Sequence, residues 1–376
     1  MTMELKSAAP QKRAVTATCE IAVIAPTLNE RENVDELVKR LDAVLAGRAW
    51  ETVFVDDDST DGMPQALVEA AQGDPRVRVI RRIGRRGLST AVVEGVLSTS
   101  APIVAVMDAD LQHDERVLPD MIARLEKGDC DIVVGSRYVE GGGVGDWSAQ
   151  RQAFSRFATK LAQIVVKAEL SDPMSGFFVV RRGAFEGAVR RLSGQGFKIL
   201  LDVLASSPKP LRVAETPYTF RQRLHGESKL DSAVLYDYAA LLLDKTVGRY
   251  VPTRFVMFAA VGGVGVLVHF AVLSAMFQAM GQGFALSQTT AAVVAMTFNF
   301  FVNNSLTYRD RRLRGWRMAW GLLSFYLVCS VGVFANVGIA NALFQESYAW
   351  WLSAVAGILV GAVWNYAASA VFTWKR

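Results

Sequence analysis

Four apolar runs, near residues 251–275, 284–307, 318–344 and 349–374, constrain this 376-residue chain more than any other feature. Each exceeds the roughly 20 residues that an α-helix needs to cross the hydrocarbon core of a bilayer. Backbone polar groups in hydrocarbon must be satisfied within the segment itself, so the runs predict four membrane-spanning helices. Between the second and third lies YRDRRLRGWR, with Arg309, Arg311, Arg312, Arg314 and Arg317, and the chain ends in Lys375 and Arg376. The connections near 276–283 and 345–348 hold no Lys or Arg. The positive-inside rule then predicts a multi-pass protein whose N-terminal part, middle connection and C-terminus are all cytosolic. Polar residues inside the spans are His269, Asn299, Asn303, Asn304, Asn341 and Asn365, with Gly262, Gly263 and Gly265 beside them. No acidic residue lies in mid-span, so helix packing explains them better than a transport pathway does.

The chain before Val251 has another character: charge is dense from residue 20 to about 250 and apolar runs are short. Residues 21–25 read as a buried strand ended by Pro26. A helix follows, with Asn29 as N-cap and Val34, Leu37, Val38, Leu41, Val44 and Leu45 at helical spacing. Residues 52–55, 76–80, 103–107 and 131–134 read as further strands, with helices over 63–71 and 88–97. Such alternation predicts an α/β domain, Rossmann-like in outline, with a mostly parallel sheet and helices on both faces. No GxGxxG follows the first strand, so nothing supports an NAD-type site. The net charge of +5 comes without a lysine-rich tail or an aromatic-interleaved basic patch. Nucleic acid is therefore not an expected partner, whereas anionic lipid and phosphorylated substrates are. Cys19, Cys130 and Cys329 are scattered, which suits neither a zinc site nor a disulfide framework and agrees with a reducing compartment. Residues 1–19 carry Lys6, Lys12 and Arg13 but no apolar core, and read as a disordered cytosolic start rather than a signal peptide.

Chemistry gathers at the strand ends. The fourth strand is followed at once by Asp108, Asp110, Gln112, His113 and Asp114. On an extended backbone Asp108 and Asp110 point to one side, where two carboxylates repel unless a cation lies between them. Oxygen ligands suit Mg²⁺ or Mn²⁺, although a DAD in isolation is more readily a solvated strand end that caps the next helix. Asp56, Asp57, Asp58 and Asp61 crowd the end of the second strand, and Arg81, Arg82, Arg85 and Arg86 follow the third. A nucleoside diphosphate with its metal needs both signs on one edge, carboxylates for ribose and cation and guanidiniums for phosphate. Gly141, Gly142, Gly143 and Gly145 read equally as a plain connector or a lid. The segment WSAQRQAFSRFATKLAQIVV places Phe154, Phe157, Ala158, Leu161, Ile164 and Val165 on one helical face, with Arg151, Arg156 and Lys160 among them. A helix in a membrane interface and a helix packed on a sheet both show this stripe. Arg151 and Ser155, four apart, share a face fit for a lipid phosphate. Asp172, Ser175 and Gly176 form a turn, and Arg221, Arg223, His225 and Lys229 surround Gly226 in a loop shaped for an anion. His113 and His225 read as hydrogen-bonding groups rather than bases, since neither has a nucleophile at local spacing.

Seven strings, IAVIAPTLNE, VFVDDDSTDG, GRRGLSTA, VMDADLQHD, VVGSRY, DPMSGFF and HGESKL, occur in this order. With them, residues 20 to about 235 resemble family 2 glycosyltransferases of the GT-A fold, in the dolichol-phosphate mannose synthase and polyprenyl-phosphate glycosyltransferase branch. Residues 254–376 resemble the GtrA-like four-helix membrane domain. The resemblance implies a GT-A catalytic domain over 20–235, a juxtamembrane linker helix over 236–253 and the membrane domain over 254–376. It implies that Pro26, Leu28, Glu30, Val55 and Asp57 surround the nucleoside, and that Asp108, Ala109 and Asp110 approach the sugar diphosphate. Asp110 and Gln112 would be metal ligands, and Arg137, Lys198, Arg223 and Lys229 would meet donor or acceptor phosphates. Arg151 and Ser155, with Arg137, would hold the acceptor phosphate, and Asp108, Asp110 and Arg137 would be catalytic. Two positions depart from the common form: Asp58 stands where glycine or asparagine is frequent, and Ser89 where a second glycine is common.

The implied reaction moves a sugar, mannose from GDP-mannose first, to a polyprenyl phosphate at the cytosolic membrane face. Such a phosphate is already anionic, so it attacks the anomeric carbon without a dedicated base, and one in-line displacement inverts that centre. UDP-glucose or another nucleotide sugar is the alternative donor. A processive polysaccharide synthase predicts a QxxRW string, which does not occur. A glycolipid flippase or transporter is the reading of another class, and the full set of acids and bases in the soluble half speaks against it.

Overall fold

In the computed structural model, which describes residues 19–375 except 146, 148, 167, 195, 223–231 and 249, the short apolar runs of the N-terminal half become strands. They are β1 (Ile21–Thr27), β2 (Trp50–Asp56), β3 (Val77–Arg81), β4 (Ile103–Val106), β5 (Ile132–Ser136), β6 (Phe178–Arg181) and β7 (Val213–Pro217). They join in one sheet of order β3-β2-β1-β4-β6-β5-β7. Strand β6 runs antiparallel to β4 and β5, while the other neighbours are parallel. The expected mostly parallel sheet thus carries one reversed strand. Around it lie α1 (Val34–Val44), α2 (Met63–Gly73), α3 (Leu88–Leu97), α4 (Leu118–Glu126), α5 (Ala149–Val165), α6 (Arg182–Val189), α7 (Ile199–Ser206) and α8 (Ser232–Thr246). Alternate strand residues face opposite layers: Ile24, Val53 and Val104 join Val92 of α3 and Leu200 of α7, while Val23, Phe54 and Ala105 join Leu37 of α1 and Met121 of α4. Tyr238 and Leu241 of α8 belong to the first of these cores, and the chain divides after Thr246.

Local physics moves several expected features. Strand β1 runs through Pro26, because pairing with β4 ends at Ile24 and the missing N–H breaks no ladder bond on that side. Asn29 does not cap α1: its φ is +56°, its N–H donates to Ser59 Oγ (2.8 Å) and its Oδ1 accepts from the Thr60 N–H (2.9 Å). It ties the loop after β1 to the loop after β2. Asp58 has φ +61°, a left-handed conformation in which glycine and asparagine are at ease and aspartate is tolerated. Ser89 is buried, and its hydroxyl donates to the Gly196 carbonyl (2.8 Å). In α5 the single apolar face divides in two. Ala158 and Ala162 are buried in the core, whereas Phe157 and Ile164 are 59% and 72% exposed. The chain start up to residue 18, and Arg223, His225, Gly226 and Lys229 of the loop at 223–231, lie outside the described residues.

The second unit, Val247–Arg376, contains α9 (Thr253–Ser274), α10 (Phe284–Ser305), α11 (Trp316–Gln345) and α12 (Trp350–Ala368). All four carry stretches long and apolar enough to cross a membrane. Helices α9 and α10 form one hairpin, α11 and α12 another, and the two repeat each other. Asn299-Phe300 recurs as Asn365-Tyr366, and Thr307-Tyr308 as Thr373-Trp374. The Tyr308 N–H bonds the Asn303 carbonyl (2.8 Å) and the Trp374 N–H the Ser369 carbonyl (2.9 Å), a π-type turn at the same place in each hairpin. Phe258 meets Tyr366 and Phe325 meets Phe300, both with ring centroids 5.8 Å apart, so the contacts survive exchange of the hairpins. Tyr308 and Trp374 stack on each other at 4.1 Å. This is the pattern of a parallel repeat whose axis runs along the helices. Arg254 with Asp310 (2.7 Å), and Asn304 Oδ1 accepting from the Leu313 N–H (2.8 Å) and Trp374 Nε1 (3.1 Å), gather the starts of α9 and α11 and the ends of α10 and α12 at one end.

Candidate active site

Parallel strands bring the loops after β1, β2, β3, β4 and β5 to one edge, and the reversed β6 contributes the turn before it to the same edge. Beyond Val106 the chain is not extended, as the sequence alone suggests, but turns through Asp108 and Asp110 to a left-handed Leu111 (φ +61°). The two carboxylates therefore sit unequally. The Asp108 side chain is 35% exposed, while Asp110 is buried and its Oδ1 accepts from the Gln112 N–H (3.1 Å). The Gln112 side-chain amide donates to the Arg221 carbonyl (3.1 Å), which directs its nitrogen to the frame.

His113 fastens this turn. Its Nδ1 accepts from the Asp108 N–H (3.1 Å), and its ring stacks on Phe177 at 5.2 Å with Tyr218 and Phe220 edge-on. Burial pushes its pKa down to about 4, against the nearby charge of Asp110, so the ring is neutral near pH 7. Gly176 lies over this pair. A Cβ there would stand 3.3 Å from both Asp108 Oδ2 and His113 Cε1, so the missing side chain lets the β6 turn approach.

The cationic side of the edge comes from Arg137 and Lys198. Arg137 forks onto the fully buried Asp172 through Nε (2.7 Å) and Nη2 (2.8 Å), and lies near the rings of Tyr138, Trp147 and Phe220. Burial works against its charge, but Asp172 more than compensates and holds its pKa above the ordinary arginine value. Lys198 donates to the Met174 carbonyl (3.3 Å). Burial, then the Arg137 charge, lower its pKa to about 8, while Asp172 and Asp108 pull the other way. Asp108, Asp110, His113, Arg137, Asp172 and Lys198 thus sense one another as a single electrostatic cluster.

Other expected contacts prove to be frame. Arg82 is buried and donates to Asp57 Oδ1 (2.5 Å) and the Gly87 carbonyl (3.0 Å), and the Gly87 N–H reaches Asp57 Oδ2 (2.6 Å). That pair clips the β2 loop to the β3 loop, which withdraws Arg82 from phosphate binding. Arg85 pairs with Glu94 (2.8 Å), and it, Arg81 and Arg86 are the exposed arginines of the run. Arg221 is spent on Asp114 (2.5 Å) and Glu115 (2.7 Å) rather than on an anion. Val55 has no exposed surface, so its backbone and not its side chain is what a nucleoside can meet, and the same edge carries half-buried Leu28 and Glu30. Ala109 is buried. Ser155 accepts a hydrogen bond from the Tyr138 hydroxyl (2.7 Å), and the Arg151 side chain lies outside what is described. The glycine segment is held, not loose: Gly143 exchanges backbone bonds with Tyr218 and Phe220 beyond β7 (3.1 and 2.9 Å). Asp172 as the partner of Arg137, and the aromatic wall of Trp147, Tyr218 and Phe220, escape sequence reasoning, although Tyr218 and Phe220 alternate around Thr219 directly after a strand.

Residues 22–188 match the model of glycosyl transferase family 2, and residues 257–374 that of the GtrA/DPMS transmembrane domain. A dolichol-phosphate mannosyltransferase of Pyrococcus furiosus is 36% identical over 359 residues, 94% of this chain and 99% of that protein. The enzyme of the same name from Saccharomyces cerevisiae is 35% identical over 64% of this chain and 91% of its own length. A glucosyl-3-phosphoglycerate synthase structure from Mycobacterium tuberculosis shares 20% identity at a TM-score of 0.45, covering 61% of this chain and 80% of its own. The chain belongs to the dolichol-phosphate mannosyltransferase family: it is a membrane protein and a glycosyltransferase.

Proposed function

We propose that this glycosyltransferase moves mannose from GDP-mannose to a polyprenyl phosphate at the cytosolic membrane face, with inversion at the anomeric carbon. The observation that carries this reading is the meeting of Asp108, Asp110 and Gln112 with Arg137 and Lys198 at one sheet edge, in a chain that holds its own membrane helices. Pro26, Leu28, Glu30, Asp57 and the backbone of Val55 line the nucleoside side of that edge, and the motif strings alone assign Arg223 and Lys229, outside the described residues, to phosphate. The names of the relatives support the acceptor and the sugar.

A divalent cation fits this edge on the chemistry of the donors. Asp110 and the Gln112 amide offer only oxygen, and its nitrogen end is already turned to Arg221. No cluster of three His, Cys, Asp or Glu ligands exists among the described residues. The remaining ligands must then come from the diphosphate, which is how Mg²⁺ or Mn²⁺ is commonly held. When bound, the cation neutralises charge on the departing nucleoside diphosphate. The chain does the rest. Asp108 faces the sugar diphosphate from a turn locked by neutral His113, and Lys198 and Arg137, both largely withdrawn from solvent, offset phosphate charge. Ser155 and Arg151 of α5, with Arg137, align the acceptor phosphate for in-line attack. No residue needs to act as base, because the acceptor is an anion near neutral pH.

The catalytic domain of residues 20–235 faces the cytosol, since the basic residues from Arg309 to Arg317 and Lys375 share the end of the bundle at which the chain enters. The deciding experiment incubates purified protein and polyprenyl phosphate with labelled GDP and UDP sugars, with and without chelator. A β-linked mannosyl lipid formed from GDP-mannose, and lost on chelation, is expected. A lipid product from a UDP sugar alone would overturn the donor assignment.

A further inference from the structure

Along the outer side of α11 and α12 runs a groove of about 370 Å³, walled by Trp320, Leu323, Leu327, Val331, Trp364 and Phe372. That is within the size range of pockets that hold small ligands. The polar atoms at its base are turned inward: Ser324 Oγ lies 3.1 Å from Thr373 Oγ1, and Trp364 Nε1 donates to the Val328 carbonyl (3.2 Å). Carbon and ring faces are what remains for an occupant. One end of the groove lies a helical turn from Arg317, beside Arg314 and Lys375, at the end of the bundle where the chain enters from the N-terminal unit. These three cations are exposed and have no acidic partner among the described residues, whereas Arg254 and Arg311 both pair with Asp310.

We propose that this groove holds the hydrocarbon chain of the polyprenyl phosphate acceptor, with the phosphate emerging at the basic end. The inference deepens the proposed function and rests on it. Bulk acyl lipid is equally apolar and far more abundant, so the hydrophobic effect cannot select the acceptor within a bilayer, and shape and dispersion contacts must. A polyprenyl chain carries a methyl branch and a double bond in each repeating unit. Such a chain brings branches and π bonds that a saturated acyl chain lacks, and its double bonds can lie against the Trp320 and Trp364 rings. The charge at the mouth complements a phosphate.

The test fills the groove with Leu327→Trp, and uses Val266→Trp on the exposed side of α9 as control. With a long polyprenyl phosphate the KM of Leu327→Trp rises about tenfold. With a two-isoprene phosphate, too short to reach Leu327 from the basic end, KM and kcat stay unchanged, and the control is silent with both. Unchanged KM for both acceptors, or a parallel rise in both, overturns the groove. If the unmodified protein glycosylates neither acceptor, the proposed function fails, and photolabelling decides the groove on its own. A photoreactive polyprenyl phosphate should label residues 320–331 in vesicles of excess phosphatidylglycerol, and equal labelling by a photoreactive phosphatidylglycerol refutes the inference.

Discussion

The two units of this chain bury opposite surfaces. In the N-terminal unit Ile21, Val23, Phe54, Val104 and Phe178 are wholly buried, and the buried charge includes the pairs Arg82–Asp57 and Arg137–Asp172 and the strand-end carboxylates Asp56 and Asp110. In the membrane unit Val266, Leu267, Phe270, Leu327, Phe334 and Ile358 face outward, while Asn303, Asn304, Thr307, Ser369 and Thr373 are buried. Water drives the first arrangement by expelling apolar area. Hydrocarbon offers no such drive, so the second relies on close packing and polar contacts between helices. Interior polarity differs accordingly: the first unit stores ion pairs, Arg82 with Asp57 and Arg137 with Asp172, and the second stores amides and hydroxyls. The hairpins also share one device. A Cβ on Gly265 would lie 2.2 Å from Asn299 Oδ1, and one on Gly332 would lie 2.0 Å from Asn365 Oδ1, so each glycine admits an amide from the other helix of its hairpin.

Breaking a buried charge pair tests the contrast most severely. Asp172→Asn leaves Arg137 charged and without its carboxylate, and should cost about 3–5 kcal/mol. Thermal unfolding of the purified protein in detergent reads this, and a shift no larger than that of an exposed pair such as Arg212–Asp131 would remove the distinction. Asp110→Asn comes next. It keeps the shape of the turn and should lower lipid glycosylation by about 10²–10³-fold while the protein remains in the membrane, as activity and membrane fractionation would show. On the membrane side Gly265→Ala and Gly332→Ala should each destabilise by about 1–3 kcal/mol through overpacking. Because the hairpins repeat, their melting shifts should be alike, and nucleotide binding should be spared in both. An effect of only one would break the repeat.

Smaller effects come from protons. The Lys198 ammonium is lost above about pH 8, so the KM for nucleotide sugar should rise as pH passes that value, and Lys198→Arg should carry the rise to higher pH. His113 has a folded pKa of about 4, below its ordinary 6.5. Between these values the unfolded chain binds more protons than the folded one, so stability falls as pH drops from 6.5 towards 4. His113→Gln should flatten that slope in melting temperature.

Element existence is legible from patterning: short continuous apolar runs mark strands covered on both faces, and runs as long as that of α9 mark the spans. Strand-end chemistry is legible too, since parallel strands deliver their following loops to one edge whatever the strand order. Partner choice is not. Arg82 and Arg137 are alike in sequence, each an arginine after a strand, yet Asp57 draws one into the frame and Asp172 orients the other beside Lys198. Asp172 lies thirty-five residues from Arg137, and only the antiparallel β6 brings it there.

By itself, then, the sequence determined a water-facing α/β unit followed by four spans, and the carboxylates, amide and arginines placed at one edge. Tertiary structure decided which of those charges are spent on one another and how deeply the remainder are buried. The same held in the VMDADLQHD stretch with which the fourth strand ends. The order of residues sets where the chain turns, but the packing of His113 against Phe177 and the approach of Gly176 decide that Asp110 is buried and Asp108 open. Burial and partnership depend on groups distant in sequence, and those distances close only when the sheet forms.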